Sequence, residues 1–212
     1  PADDVKEKWP LYASPDQLHY IKLVDYNLFL CKTKNDECRQ LTSDGTESAP
    51  YAVTHPTPQT LLSDEAFDEQ EHLELYWSPD SRFAITYHLH RGGVNKLSLI
   101  DSLAPRDFSV QSVHYYYPQA GDVALPQAEL VLVDVAQERA IKLDAPHVMQ
   151  TYYGGPLWGY WQNGAFYYHD RRRGNRQYFL RKVLANEGKV KTLIEETDPQ
   201  FIDPFVQSFR LL

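Results

Sequence analysis

Six carboxylates fall within one short stretch of this chain: Asp64, Glu65, Asp68, Glu69, Glu71 and Glu74. Neighbouring carboxylates are chemistry for holding positive charge. In a partly dry cavity, two of them grip a cation or an amine through charge-assisted hydrogen bonds. Asp64–Glu65 and Asp68–Glu69 are the two adjacent pairs, and Phe67, Leu73 and Leu75 are the apolar anchors around them. The stretch reads in two ways. One is a solvated acidic helix or loop, capped by Ser63, with Asp64 and Glu65 in the first turn where the positive dipole end favours them. The other is a carboxylate cluster lining a cavity.

Other reactive residues are fewer. His88 and His90 share one face of one strand, a spacing that can bind a metal. No third ligand is near in the sequence, so no metal site is expected. Cys31 and Cys38 are the only cysteines, and two sulfurs make half a structural zinc site. Arg171-Arg172-Arg173 suits a solvated hairpin tip better than a phosphate site. No serine sits in G-x-S-x-G, and no phosphate loop, HExxH or dinucleotide fingerprint is present. The chain therefore shows no catalytic apparatus of its own and implies no cofactor.

The elements that must position these groups are strands. Tyr76-Trp77-Ser78-Pro79-Asp80-Ser81 is turn chemistry. In the run after it Phe83, Ile85, Tyr87 and Leu89 alternate with Arg82, Thr86, His88 and His90, the period of a half-buried strand. Tyr12-Ala13-Ser14-Pro15-Asp16 leads into a strand over 20–24 in the same way, and Tyr160-Trp161-Gln162-Asn163-Gly164 is a degenerate third copy. A repeated unit of this kind fixes architecture, and this one reads as a β-propeller blade.

The predicted fold is all-β: an incomplete propeller of about three four-stranded antiparallel blades, with one long blade insertion. The whole chain, 1–212, forms a single propeller segment. Its blade-like units lie at about 11–60, 76–145 and 158–196, and a further blade begins at 198–212. Residues 96–101 resume the strand that Arg91-Gly92-Gly93 interrupts, 128–135 form a central strand, and any helix is short and lies in the acidic stretch. Trp77 and Trp161 occupy matching places, each at the start of a strand. Closed propellers typically have about four to eight blades, and the chain opens at Pro1 without an initiator Met, so the parent protein is expected to be longer.

Composition narrows the partners. The 212 residues carry a formal charge of −8, whereas nucleic-acid binders show a basic face. No apolar run reaches the roughly 18 residues of a membrane span. Fourteen prolines, ten glycines and fifteen tyrosines suit a turn-rich all-β chain. In a hairpin with Thr33 to Asp36 as its loop, Lys32 and Glu37 form the closing pair, and Cys31 and Cys38 face each other as the next, non-hydrogen-bonded pair. Their sulfurs are then adjacent, either bonded or as two reduced thiols; a bond implies an oxidising compartment.

Three motifs in order carry a resemblance: Tyr76-Trp77-Ser78-Pro79-Asp80 after an acidic stretch, Tyr115-Tyr116-Tyr117-Pro118-Gln119-Ala120-Gly121-Asp122, and Leu130-Val131-Leu132-Val133-Asp134. Together they resemble the N-terminal β-propeller of dipeptidyl peptidase IV-type serine peptidases, of the prolyl oligopeptidase class. Tyr168-His169-Asp170-Arg171-Arg172-Arg173-Gly174 through Leu193-Ile194-Glu195-Glu196 resembles bacterial members. The resemblance implies a C-terminal α/β-hydrolase domain holding the catalytic groups, and a propeller that caps it and screens peptide substrates. It also implies an acidic pair that binds the substrate's amino terminus. The family's Glu-Glu falls where this chain has Asp64-Glu65-Ala66-Phe67-Asp68-Glu69; distance from Trp77 favours Asp68 and Glu69 over Asp64 and Glu65. A periplasmic or secreted location follows, with the cytoplasm as the alternative, and a homodimer of the parent is left open. The rival reading is a non-enzymatic propeller serving as a binding platform in the cell envelope.

Overall fold

The Ser-Pro-Asp triplets build turns of matching geometry. In the computed structural model, which describes residues 12–62, 68–101, 111–150 and 155–203, Ser14 Oγ lies 2.6 Å from Asp16 Oδ1 and accepts from His19 N. Ser78 repeats this against Asp80 Oδ1, also at 2.6 Å, and Phe83 N. Each Asp also accepts a backbone N–H two residues on, from Leu18 and Arg82, as Asx turns do. The residues after them, Gln17 and Ser81, take φ of 60° and 59°. In the third copy Asn163 and Gly164 take φ of 49° and 73° between the paired Gln162 and Ala165. That is the two-residue hairpin turn Asn-Gly favours, with both centres left-handed.

Each turn opens an antiparallel sheet, and the sheets follow one another along an incomplete β-propeller. The first sheet joins β1 (His19–Val24), β2 (Asn27–Lys32) and β3 (Cys38–Gln40), with an isolated bridge from Ala13 to Tyr20 at its inner edge. The second starts with β4 (Tyr76–Trp77) and β5 (Phe83–His90). The chain then leaves the sheet as a two-stranded ribbon, β6 (Lys96–Asp101) with β7 (Gln111–Tyr116). It returns as β8 (Gln127–Asp134), whose outer edge is shared by β9 (Arg139–Lys142) and β10 (Val148–Met149). The third sheet runs β11 (Trp158–Gln162), β12 (Ala165–Arg171), β13 (Gln177–Leu184) and β14 (Lys189–Thr197). Among the described residues, helix is limited to one α turn, α1 (Pro58–Leu61), capped by Thr57, and a 3-10 turn, Glu69–Glu71, capped by Asp68. Neither is long and apolar enough to cross a membrane. The Ser63 cap expected from the sequence lies outside the described residues, as does most of 198–212.

Residues 96–101 do not resume β5. Gly93, with φ of 77°, and a Val94 N to Arg91 O bond turn the chain away, and β8 pairs with the whole of β5, from Phe83↔Asp134 to His90↔Gln127. Nor is β5 half-buried: every residue from Phe83 to Leu89 is buried. Past β4, its inner edge is completed by the crossing segment, through Ala52 N to Tyr87 O and Leu89 N to Pro50 O. The polar members find partners there. Thr86 Oγ1 donates to Glu74 O, and His88 Nε2 bonds Ala49 O, both at 2.8 Å, so the hydroxyl and one imidazole nitrogen are compensated. Leu130, Val131, Leu132 and Val133 of β8 are each 2% exposed or less.

Neighbouring sheets are stitched by the same residues each time. Trp77 Nε1 donates to Tyr12 O at 3.1 Å, and Trp161 Nε1 donates to Tyr76 O at 2.8 Å. The tyrosine hydroxyls reply. Tyr12 accepts from Leu73 N, and Tyr76 contacts Leu157 O; Leu73 and Leu157 each precede the sheet's tryptophan by four positions. Both tryptophans lie within the inner strand rather than at the start of one, Trp77 ending β4 and Trp161 near the end of β11. On the first sheet, Lys32 N bonds Glu37 O, and Cys31 pairs with Cys38 across β2–β3 with the sulfurs bonded and Cα atoms 4.0 Å apart.

Trp161→Phe removes one stitch and leaves Tyr76 O without its donor. Urea unfolding of this variant is expected to show a loss of about 1 kcal/mol; an unchanged midpoint would mean the indole bond carries no weight.

Candidate functional site

The acidic stretch divides into three different environments. Asp68 caps the 3-10 turn, its Oδ1 accepting from Gln70 N at 2.9 Å, and the residue is exposed. Glu69 is ion-paired instead. Both of its oxygens accept from Arg91, Oε1 from Nη2 at 2.7 Å and Oε2 from Nη1 at 2.9 Å. The Arg91 side chain is 4% exposed and that of Glu69 22%. Planar, bidentate pairing of this kind fixes the carboxylate's orientation as well as its position.

Arg91 is itself held from several sides. Its Nε donates to Glu47 O at 2.8 Å and its backbone N to Ser48 O. The guanidinium lies 4.4 Å over the Tyr116 ring, where Lys96 Nζ also sits at 4.4 Å. Lys96 pairs with Glu47 at 3.0 Å. Gln70 Oε1 accepts from Tyr26 N, tying the acidic turn to the β1–β2 connection. Burial, with Arg91 nearby, pushes His55 down to about 4, so at neutral pH that ring is uncharged.

Glu74 is the third environment. Desolvation raises its carboxyl to about 7, against the smaller lowering effect of bonds from Tyr76, Leu157 and Tyr87. Tyr76 Oη lies 2.8 Å from Glu74 Oε1 and 2.9 Å from Leu157 O, yet a phenol has a single proton. When it goes to Glu74 Oε1, the carboxyl accepts there and from Leu157 N, at Oε2. The close fit is completed by Gly155, where an added Cβ would meet Glu74 Oε2 at 1.6 Å.

The structure thus brings Asp68 and Glu69 together at one turn, while Asp64 and Glu65 lie outside the described residues. Sequence reasoning missed Arg91, which was read only as part of a strand break. The one available signal was an arginine beside Gly92-Gly93, at a turn. Glu129 was missed as well. It lies directly across from His88 in the β5–β8 ladder, and it supplies the third potential ligand that the histidine pair lacked.

Titration of Glu74 gives a pH prediction. Its folded value, about 7, lies above the ordinary 4.5, so its contribution is fully present below about pH 4.5 and is lost as pH rises through 7. The unfolding free energy of the natural chain relative to Glu74→Gln should fall by roughly 1–3 kcal/mol between pH 5 and 8. A difference independent of pH would contradict a carboxyl raised by desolvation.

Comparison with known proteins agrees with the all-β propeller fold. The model of the dipeptidyl peptidase IV (DPP IV) N-terminal region matches residues 4–211. Among solved structures, dipeptidyl peptidase 4 of Porphyromonas gingivalis aligns with a TM-score of 0.64 at 17% identity, over 90% of this chain and 26% of its own. A protein assigned as a dipeptidyl aminopeptidase IV from Bacteroides ovatus aligns with a TM-score of 0.61 at 18% identity, over 92% of this chain and 24% of its own. The chain thus spans about a quarter of the length of each of these structures. No curated protein sequence matches it. The chain belongs to the dipeptidyl peptidase IV N-terminal region family.

Proposed function

We propose that the acidic turn holds the free amino terminus of a peptide substrate, which this propeller presents to a serine hydrolase domain elsewhere in the parent protein. The observation that carries the reading is an exposed Asp68 next to a Glu69 whose carboxylate is clamped by the buried Arg91. A carboxylate has about four lone-pair sites. Arg91 takes two from Glu69, which leaves acceptors there for an ammonium group, and the adjacent, exposed Asp68 offers a second carboxylate. In this reading Arg91 positions Glu69 and does not touch substrate.

Family membership supports a peptidase over a free-standing binding platform. The greater length of the similar structures supports a hydrolase domain that the propeller caps and for which it screens peptides. The Cys31–Cys38 bond supports an oxidising compartment, periplasmic or secreted.

The test uses the full-length parent with Xaa-Pro amides whose amino terminus is free or acetylated. The natural protein should prefer the free amine. Asp68→Asn and Glu69→Gln should raise KM for it by roughly tenfold or more with a smaller change in kcat, the loss expected for a hydrogen bond to a charged group. Indifference to acetylation, or unchanged KM in both folded variants, would remove the turn from substrate binding.

A further inference from the structure

We propose that the second sheet carries a divalent-metal site of the zinc type, with His88, His90 and Glu129 as ligands. One imidazole nitrogen from each histidine and a carboxylate oxygen lie within 4.8 Å of one another. His88 and Glu129 are cross-strand partners on β5 and β8, and His90 follows two residues along the same face. Glu129 Oε2 is 3.8 Å from His88 Nδ1 and 3.5 Å from His90 Nε2. A zinc ion about 2.0–2.2 Å from each ligand atom needs those atoms roughly 3.3–3.6 Å apart, so small side-chain rotations close the set.

The state of His88 points to a cation. Its Nε2 lies 2.8 Å from Ala49 O, and a carbonyl only accepts, so Nε2 carries the hydrogen. That leaves the lone pair on Nδ1, which is buried without a hydrogen-bond partner and faces Glu129. Two lone-pair atoms turned towards each other repel unless something positive lies between them. A metal ion satisfies both atoms. The backbone carbonyl on the opposite nitrogen is the usual means of fixing a ligand histidine's tautomer and orientation.

The ring is also immobilised. His88 stacks flat on Tyr51, with centroids 4.1 Å apart, and its side chain is 4% exposed. His90, 41% exposed, gives access from solvent, and His147 stacks against its ring. Three protein ligands leave a fourth position for water. Imidazole and carboxylate donors suit zinc and its first-row neighbours rather than calcium or magnesium. The competing cation is Lys142, with Nζ 3.4 Å from Glu129 Oε2 and 2.8 Å from Asp44 Oδ2. Asp44 can retain the ammonium when metal takes Glu129. The ion would join β5 to β8 beside the crossing segment, at a place distinct from the acidic turn.

The test titrates the full-length parent, stripped by chelator, with Zn²⁺ against a chromophoric chelator, and with Co²⁺ read by visible absorption. The natural protein should bind one more equivalent than His90→Gln or Glu129→Gln, or bind that equivalent at least ~10-fold more tightly. Its Co²⁺ form should show d–d bands that both variants lose. Lys142→Met, which removes the competitor, should tighten zinc binding. Circular dichroism checks that the variants fold, and His90, the most exposed ligand, is the safest change. Equal stoichiometry and affinity in the natural protein and both ligand variants would overturn the site, as would weaker zinc binding in Lys142→Met.

Discussion

The first two sheets of this propeller are each fastened to the next by two groups at the inner edge, a tyrosine hydroxyl and a tyrosine carbonyl. The carbonyl takes the next sheet's tryptophan indole, at Tyr12–Trp77 and again at Tyr76–Trp161. The hydroxyl takes the backbone four residues ahead of that tryptophan, at Leu73 and then at Leu157. A blade cannot bury both of its faces alone, so these contacts set how closely neighbouring sheets approach. They also set what can fill the gaps. Glu74 is held against Gly155 by the Tyr76 hydroxyl and Leu157 N, and the acidic turn is delivered by the same segment that carries Leu73.

The acidic turn depends on a second constraint, the burial of Arg91. A guanidinium out of water needs its partners, and removing one of them leaves an uncompensated charge. Glu69, the Glu47 carbonyl and the Tyr116 ring share that task. Tyr116 comes from the ribbon that interrupts the second sheet, so the insertion and the turn are parts of one arrangement. Asp68 stays exposed because its remaining duty is local, the capping of a single 3-10 turn.

What could be read from the sequence was what local chemistry decides. Ser-Pro-Asp writes its turn within a few residues, Asn163-Gly164 writes a hairpin, and the four apolar residues of β8 announce a strand covered on both faces. Burial on β5 was misread for a physical reason. Thr86 and His88 have the polarity of a solvated face, but their hydrogen bonds go to backbone carbonyls of other segments, at Glu74 and Ala49. Period-two patterning cannot tell water from a neighbouring carbonyl. The acidic stretch failed similarly. Glu71 and Glu74 look alike in sequence, yet one is exposed and the other is enclosed by residues some eighty positions away. The pairing of Glu69 with Arg91 joins residues 22 apart through tertiary folding, and no local rule encodes it.

The measurement that tests the functional account most directly is a crystal structure of the full-length parent with a slowly cleaved peptide bound. The account places the peptide's ammonium nitrogen within hydrogen-bond reach, about 2.7–3.2 Å, of the Asp68 and Glu69 carboxylates, with Arg91 still paired to Glu69. An ammonium held by other residues, with Glu69 engaged by Arg91 alone, would contradict it.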